Sequence, residues 1–297
     1  MHKQYKKISG FSDEIDSSLK VQLESLNKLN ISYMSIRGVG EKNIGDYDLE
    51  SFNREVQPLL DEYNIRVSSI GSPIGKIEID DEEAFEKQKT VLENLCQICK
   101  DKDIKYIRMF SFYMPEGKDP NGYKDEVLKK LKVFIDIANK YDVVLVHENE
   151  KDIFGDNIER CKVLAENLYG DNFGLIFDFA NFVQVGEDTL KAYEVLKDYV
   201  LYIHIKDAKY GTNQNVVAGT GDGNIYEILK EEFNKGYDGF ITLEPHLVQF
   251  DSLKDLEKDS VDEVIKENLA KDGFDGFRLQ LNAVNEILKN IEEDKIG

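Results

Sequence analysis

The sequence predicts an α/β protein, a single (β/α)8 barrel over residues 1–297 with a C-terminal helical extension. Three observations predict it. Eight short runs of β-type apolar residues alternate with eight helical patterns, which implies a parallel sheet, and eight such units at this length favour closure. The connections are short, and no linker rich in Pro, Gly or Ser divides the chain. The last four runs each stop on a metal-binding side chain, and barrel sites lie at the C-terminal ends of strands. The competing architecture, an open doubly wound sheet, predicts a G-x-G-x-x-G turn after the first strand, which this sequence lacks.

The first strand is Lys7–Phe11, followed by the loop Ser12-Asp13-Glu14. Ser17 or Ser18 is placed to cap a helix through Leu29, with Leu19, Leu23, Leu26 and Leu29 on one stripe. A second strand over Ile31–Ile36 ends on Arg37-Gly38, and Asp48 opens a helix to Tyr63. Ile65–Ile70 is the third strand, broken by Gly71-Ser72-Pro73. The acidic stretch Asp80–Glu83 suits the positive end of a helix running to about Lys102. Ile104–Phe110 is the fourth strand, then a loop over Pro115–Gly122 and a helix from about Asp125 to Lys140. Val143–Glu148, Phe173–Asp178, Val200–His204 and Phe240–Glu244 follow as strands, with helices near 156–169, 187–197 and 225–235. A last helical region is expected from Ser252 to about Glu293.

Composition narrows the function classes. With 41% hydrophobic residues the chain can bury a large core, while a formal charge of −20 argues against a nucleic-acid partner. A small anionic substrate is not excluded by that charge, because a local cluster of Lys and Arg can hold one. No apolar stretch follows Met1–Lys7, so no signal peptide is expected. No run approaches the ~20 apolar residues that span a bilayer, so no membrane association is expected either. Three cysteines make no disulfide framework, and Cys96-x-x-Cys99 falls mid-helix, where buried thiols are the expectation. The protein is expected to be cytoplasmic. A homo-oligomer stays open, since the terminal helical region can pack on the barrel or on a second copy.

The strand ends carry the chemistry. Glu148, Asp178, His204 and Glu244 lie 30, 26 and 40 residues apart, about one strand-plus-helix unit each. Neighbouring parallel strands would bring them to one mouth, where three carboxylates and an imidazole suit Mn2+, Mg2+, Co2+ or Zn2+. Strand alternation points Val144, Val146 and Glu148 inward together and His147 towards the helices, as a hydrogen-bonded structural histidine. Glu150 shares the phase of Glu148 and is a pocket candidate; Asn149 reads as a turn residue. In Asp178-x-x-Asn181-x-x-Gln184 the three polar groups fall one helical turn apart, fit either for sugar hydroxyls or for a polar loop. Lys206 can hold a substrate oxyanion or phosphate, or neutralise the acids around it. Gly219–Asn224 is a phosphate cradle or a tight structural loop, with Asp222 opposing an anion. His246 is placed to contact substrate or to be a satisfied structural histidine. Glu14, Arg37, Arg108 and Ser111 end earlier strands; any of them can line the pocket, with surface or interface roles as the default and Arg37 kept as a substrate-binding candidate.

Val146-His147-Glu148-Asn149-Glu150, Phe177–Asn181, Ile203–Ala208 and Leu243–His246 together resemble the xylose-isomerase-like barrel superfamily, and within it the sugar phosphate isomerase/epimerase group. Gly10–Ile15 and Ile36–Val39 are similar to that group as well. The resemblance implies a TIM barrel and one divalent ion held by Glu148, Asp178, His204 and Glu244. It also implies that Glu148 and Glu244 exchange a substrate proton through a metal-stabilised enediolate. Where a ketose 3-epimerase has a substrate-binding histidine after the metal Asp, this chain has Asn181. The DNA-repair members need three metals and many histidines, and this chain has four. The expected activity is therefore a metal-dependent isomerase or epimerase of carbohydrate metabolism acting on a small sugar, a sugar phosphate or a polyol. A dehydratase of an inosose-type cyclic ketone and a non-catalytic sugar-binding barrel are the alternatives.

Overall fold

A computed structural model describes residues 5, 7–250 and 268–295. Eight strands form one sheet: β1 (Ile8–Gly10), β2 (Tyr33–Ile36), β3 (Arg66–Ile70), β4 (Tyr106–Met109), β5 (Val144–Glu148), β6 (Phe173–Asp178), β7 (Val200–Ile205) and β8 (Ile241–Leu243). Each pairs in parallel with its neighbours in chain order from β2 to β8, and β8 pairs with β1. β1 and β2 lie side by side without a hydrogen-bonded ladder, so the barrel is nearly closed. The Ser68 hydroxyl on β3 reaches Ser9 on β1 at 2.9 Å across that seam.

The helices follow in order: α1 (Leu19–Lys28), α2 (Leu49–Glu55), α3 (Gln57–Tyr63), α4 (Glu82–Lys102), α5 (Lys124–Asn139), α6 (Ile158–Leu168), α7 (Phe179–Gln184), α8 (Thr189–Leu196), α9 (Ile225–Lys235) and α10 (Gly273–Asp294). Their apolar stripes and the outward faces of the strands share one large buried cluster. Inside the barrel Val144, Val146, Ile176 and Tyr202 pack together, as the phase of Glu148 requires. Hydroxyls fill the rest of that interior. Tyr202 Oη lies 2.7 Å from Thr242 Oγ1 and 3.0 Å from Ser69 Oγ; Ser9 lies 2.6 Å from Thr242, and Ser35 2.7 Å from Ser69. Each hydroxyl has a partner, so the polar interior leaves no unmet hydrogen bond among these groups.

Local chemistry moved several boundaries. The helix expected over 48–63 is two helices that meet at Val56, because Pro58 has no N–H for the preceding turn. Ser18 is the N-cap residue of α1 but its side chain makes no cap; Asp16 accepts from the Ser18 N–H at 2.8 Å instead. Of the helical region expected from Ser252, residues 252–267 lie outside the described residues and 268–272 are not helical. Asp272 caps α10, which packs on β8, α9 and the Ser12–Glu14 turn. Phe277 of α10 sits against Gly10, where an added Cβ would come within 2.1 Å of its ring. Two short antiparallel ribbons, Gly38–Val39 with Lys42–Asn43 and Asp207–Ala208 with Asn215–Val216, follow β2 and β7. Cys96, Cys99 and Cys161 are buried free thiols. Among the described residues no helix is long and apolar enough to cross a membrane.

Candidate metal centre

Glu148 and Asp178 are the last residues of β5 and β6, His204 is the penultimate residue of β7, and Glu244 follows β8 directly. Register aligns them: Asp178 pairs with His204, and His204 with Thr242, two residues before Glu244. One ligand atom from each of the four lies within 4.8 Å of the other three, and all four side chains are buried. His204 Nδ1 is 2.6 Å from Glu148 Oε1 and 3.6 Å from Glu244 Oε2. The Lys206 ammonium stands 3.4 Å from Asp178 Oδ2 and 3.6 Å from Glu244 Oε2.

Behind the ligands stand two buried arginines. Arg37 Nη1 donates to Glu244 Oε1 at 2.7 Å, while its Nε and Nη2 donate to Asp13 at 2.8 and 3.1 Å. Arg108 Nη1 donates to Glu148 Oε2 at 3.1 Å. The Phe11 ring lies between the two guanidiniums, 4.4 Å from Arg37 and 4.9 Å from Arg108, with its edge to the His204 ring. The surface default for Glu14, Arg37, Arg108 and Ser111 is thus wrong, since all four are buried around the mouth. Buried arginines persist only when paired, and their partners come from distant strands.

A divalent cation fits these residues. Asp178 Oδ2 and Glu244 Oε2 are buried yet make no hydrogen bond among the described residues, which is costly unless something else binds them. Five buried carboxylates (Asp13, Glu14, Glu148, Asp178, Glu244) face three buried cations (Arg37, Arg108, Lys206), an excess of two negative charges. That excess matches one divalent ion. Without it, burial and the neighbouring carboxylates push the carboxyls of Asp178 and Glu14 well up, against the pull of Lys206 and Arg37, so protons relieve the excess. Burial opposes ionisation of Glu148 too, but His204 and Arg108 outweigh it and hold that carboxyl down to about 2. Lys206, His246 and Arg37 likewise outweigh burial and keep Glu244 well below the usual carboxylate range. Burial disfavours the Lys206 ammonium, yet Asp178 and Glu244 raise it well above an ordinary lysine.

The remaining sequence candidates fall into two groups. Asn181 and Asn149 serve Asp178: the Asn181 N–H donates to Asp178 Oδ1 at 2.9 Å, and Asn149 bonds both the N–H and the C=O of Asp178. Asn181 Nδ2 in turn donates to the Asn149 carbonyl at 2.7 Å. Asn149 is therefore not just a turn residue, and its place beside Glu148 was the available signal. Gln184 turns away to Asn213 and Asn215. His246 and Glu150 flank the mouth. His246 is buried in a left-handed conformation (φ 46°), stacked on Phe250, and neither ring nitrogen has a hydrogen-bond partner among the described residues. Its Nε2 lies 3.6 Å from Glu14 Oε1 and 3.8 Å from Glu244 Oε1. Glu150 pairs with Lys76 at 3.3 Å. His147 points outward and lies 2.9 Å from Ser111 through Nε2.

The sequence profile of the xylose isomerase-like TIM barrel family matches residues 23–270. No functionally curated protein matches the chain. Among solved structures, a D-tagatose 3-epimerase-like protein superposes with a TM-score of 0.75 at 16% identity, covering 98% of this chain and 100% of its own. A xylose isomerase-like TIM barrel protein from Mycobacterium smegmatis in complex with magnesium gives 0.69 at 14% identity, with 97% and 98% covered. The IolI protein with a bound zinc atom gives 0.71 at 16% identity, with 96% and 98% covered. At these identities the likeness is one of fold.

Proposed function

This chain belongs to the xylose isomerase-like TIM barrel family, and from that premise we propose that residues 1–297 form one catalytic barrel. Its activity in this reading is a divalent-metal-dependent isomerisation or epimerisation of a small sugar or polyol, phosphorylated or not. Glu148, Asp178, His204 and Glu244 hold the ion, which when bound supplies Lewis-acid charge for a substrate carbonyl and the adjacent hydroxyl. Manganese, magnesium, cobalt and zinc all suit this donor set.

The observation that carries the reading is the paired grip on the two glutamates. Arg108 holds one oxygen of Glu148 and Arg37 holds one oxygen of Glu244, leaving the second oxygen of each on the shared cluster. Both are kept ionised, the form in which a carboxylate can act as a base. They come from β5 and β8 with two strands between, so a substrate seated across the cluster has a carboxylate on either hand. One removes the proton from the carbon next to the carbonyl and the other returns a proton to the opposite face for epimerisation. A single glutamate that carries the proton between carbons gives isomerisation. General acid–base transfer contributes about 10²–10⁴-fold, and charge stabilisation carries much of the rest. His246, whose ring nitrogens have no hydrogen-bond partner among the described residues, and Lys206 face the substrate; Asn181 and Arg37 act on it through Asp178 and Glu244, and Glu150 with Lys76 borders the mouth.

The names of the epimerase-like and metal-containing structural neighbours support this reading. Replacing Glu148 and Glu244 separately by Gln tests it. With Mn2+ and a panel of ketoses and inosose-type ketones in D2O, the parent protein should incorporate deuterium. Each variant should lose that exchange while still binding sugar. Binding without exchange in the parent would make it a sugar-binding barrel instead, and loss of water from the product would make it a dehydratase.

A further inference from the structure

We infer that the centre takes an uncharged polyhydroxy carbonyl compound and excludes its phosphate esters. The inference rests on the sugar-converting reading above and names the class of its substrate. Two independent features carry it.

The first is the glycine loop after β7, the region where barrels commonly hold phosphate on backbone amides. Here those amides are already occupied from within. The N–H groups of Gly219, Gly221 and Gly223 donate to the Asp207 carboxylate at 2.8, 2.9 and 3.0 Å, and the Ala208 N–H does so at 3.0 Å. An added Cβ on Gly221 would lie 2.1 Å from Asp207 Oδ1, so the glycines serve the approach of this side chain. A carboxylate of the chain itself fills the cradle, and a second anion has neither donors nor room there.

The second feature is the use of the buried cations. Among the described residues Arg37 donates only to carboxylates, Arg108 binds Glu148 and the Gly71 carbonyl through its two Nη atoms while its buried Nε has no partner, and Lys206 stands between Asp178 and Glu244. At the rim Lys76 is paired with Glu150. One divalent ion brings the buried charges to balance. A phosphate dianion among these side chains would then restore the excess of two negative charges, at a cost no described cation offsets. Hydroxyl groups meet the opposite situation, since neither ring nitrogen of His246 has a hydrogen-bond partner among the described residues.

The test is calorimetric titration of the Mn2+-loaded full chain with matched pairs: D-fructose with D-fructose 6-phosphate, D-tagatose with D-tagatose 6-phosphate, and a keto-inositol with its monophosphate. The expected result is binding of at least one uncharged member, with its ester at least tenfold weaker. In Asp207→Gly, with the cradle emptied, that gap should narrow. If this variant does not fold, the parent comparison still decides. An ester that binds as tightly as its parent sugar, or more tightly, overturns the inference and leaves the sugar-converting reading standing. Binding of no member of any pair by metal-loaded protein overturns that reading, and the inference with it.

Discussion

Arg37→Met removes the guanidinium that three buried carboxylates share. The structure assigns it two hydrogen bonds to Asp13 at 2.8 and 3.1 Å, one to Glu244 at 2.7 Å, and stacking on Phe11. Methionine keeps the apolar stem and restores none of the charge. Breaking a buried pair from one side costs about 3–5 kcal/mol, because the abandoned charge stays buried. Without metal the lower half of that range applies, since burial already pushes the Glu14 carboxyl up and it takes a proton readily. For an m-value of about 3 kcal/mol/M in urea, a loss near 3–4 kcal/mol lowers the unfolding midpoint by about 1–1.3 M. Urea titration of metal-free protein at pH 7 measures it, with Arg54→Met as control. Arg54 also pairs with glutamates, at 2.7 and 3.8 Å, but its side chain is 60% exposed, and the control should leave the midpoint unchanged. Equal midpoints for the two variants would refute the buried charge network.

Gly10→Ala forces a methyl group against Phe277 and should cost about 1–3 kcal/mol, with the second substitution Phe277→Leu recovering most of it; thermal unfolding of single and double variants checks this, and additive losses count against it. Asn149→Ala strips two hydrogen bonds from the Asp178 backbone, so calorimetry should find metal affinity reduced about 10–100-fold, where an unchanged affinity would make Asn149 a mere turn residue. Burial, against a smaller pull from Glu148, pushes the His147 imidazole down to about 3. The unfolded chain protonates this histidine near pH 6.5 and the folded chain does not, so its stabilising effect is complete above about pH 6.5 and falls by up to about 1.4 kcal/mol per pH unit towards pH 3. The stability difference between the parent and His147→Gln, taken by urea titration of metal-free protein from pH 7.5 to 4.5, should shrink on acidification; a constant difference contradicts the burial of a neutral imidazole.

Sequence pattern carried the barrel because the last four strands are runs rich in apolar β-formers that stop at or next to a polar residue, and strand alternation placed Val144, Val146 and His147 on their correct sides. What it missed depends on partners far away along the chain. Arg37 is buried because Glu244, 207 residues distant, closes over it, and no local feature marks that. The glycine loop reads equally as a phosphate cradle or a structural turn in sequence, because its occupant, Asp207, lies more than ten residues before it. The break at Val56 is legible only in Pro58, because the apolar stripe of Phe52, Val56, Leu59 and Leu60 runs on across it. The start of α10 is set by Asp272, an N-cap hidden in a stretch with acidic residues on either side of it.

The centre itself is tested most directly by titrating metal-free protein with Mn2+ and Zn2+ in a calorimeter, for the parent and for Asp178→Asn and His204→Gln. One equivalent per chain, with affinity lowered at least tenfold in both variants, is the expected result. No saturable uptake, or uptake that neither substitution weakens, would contradict a cation held at the ends of β5 to β8.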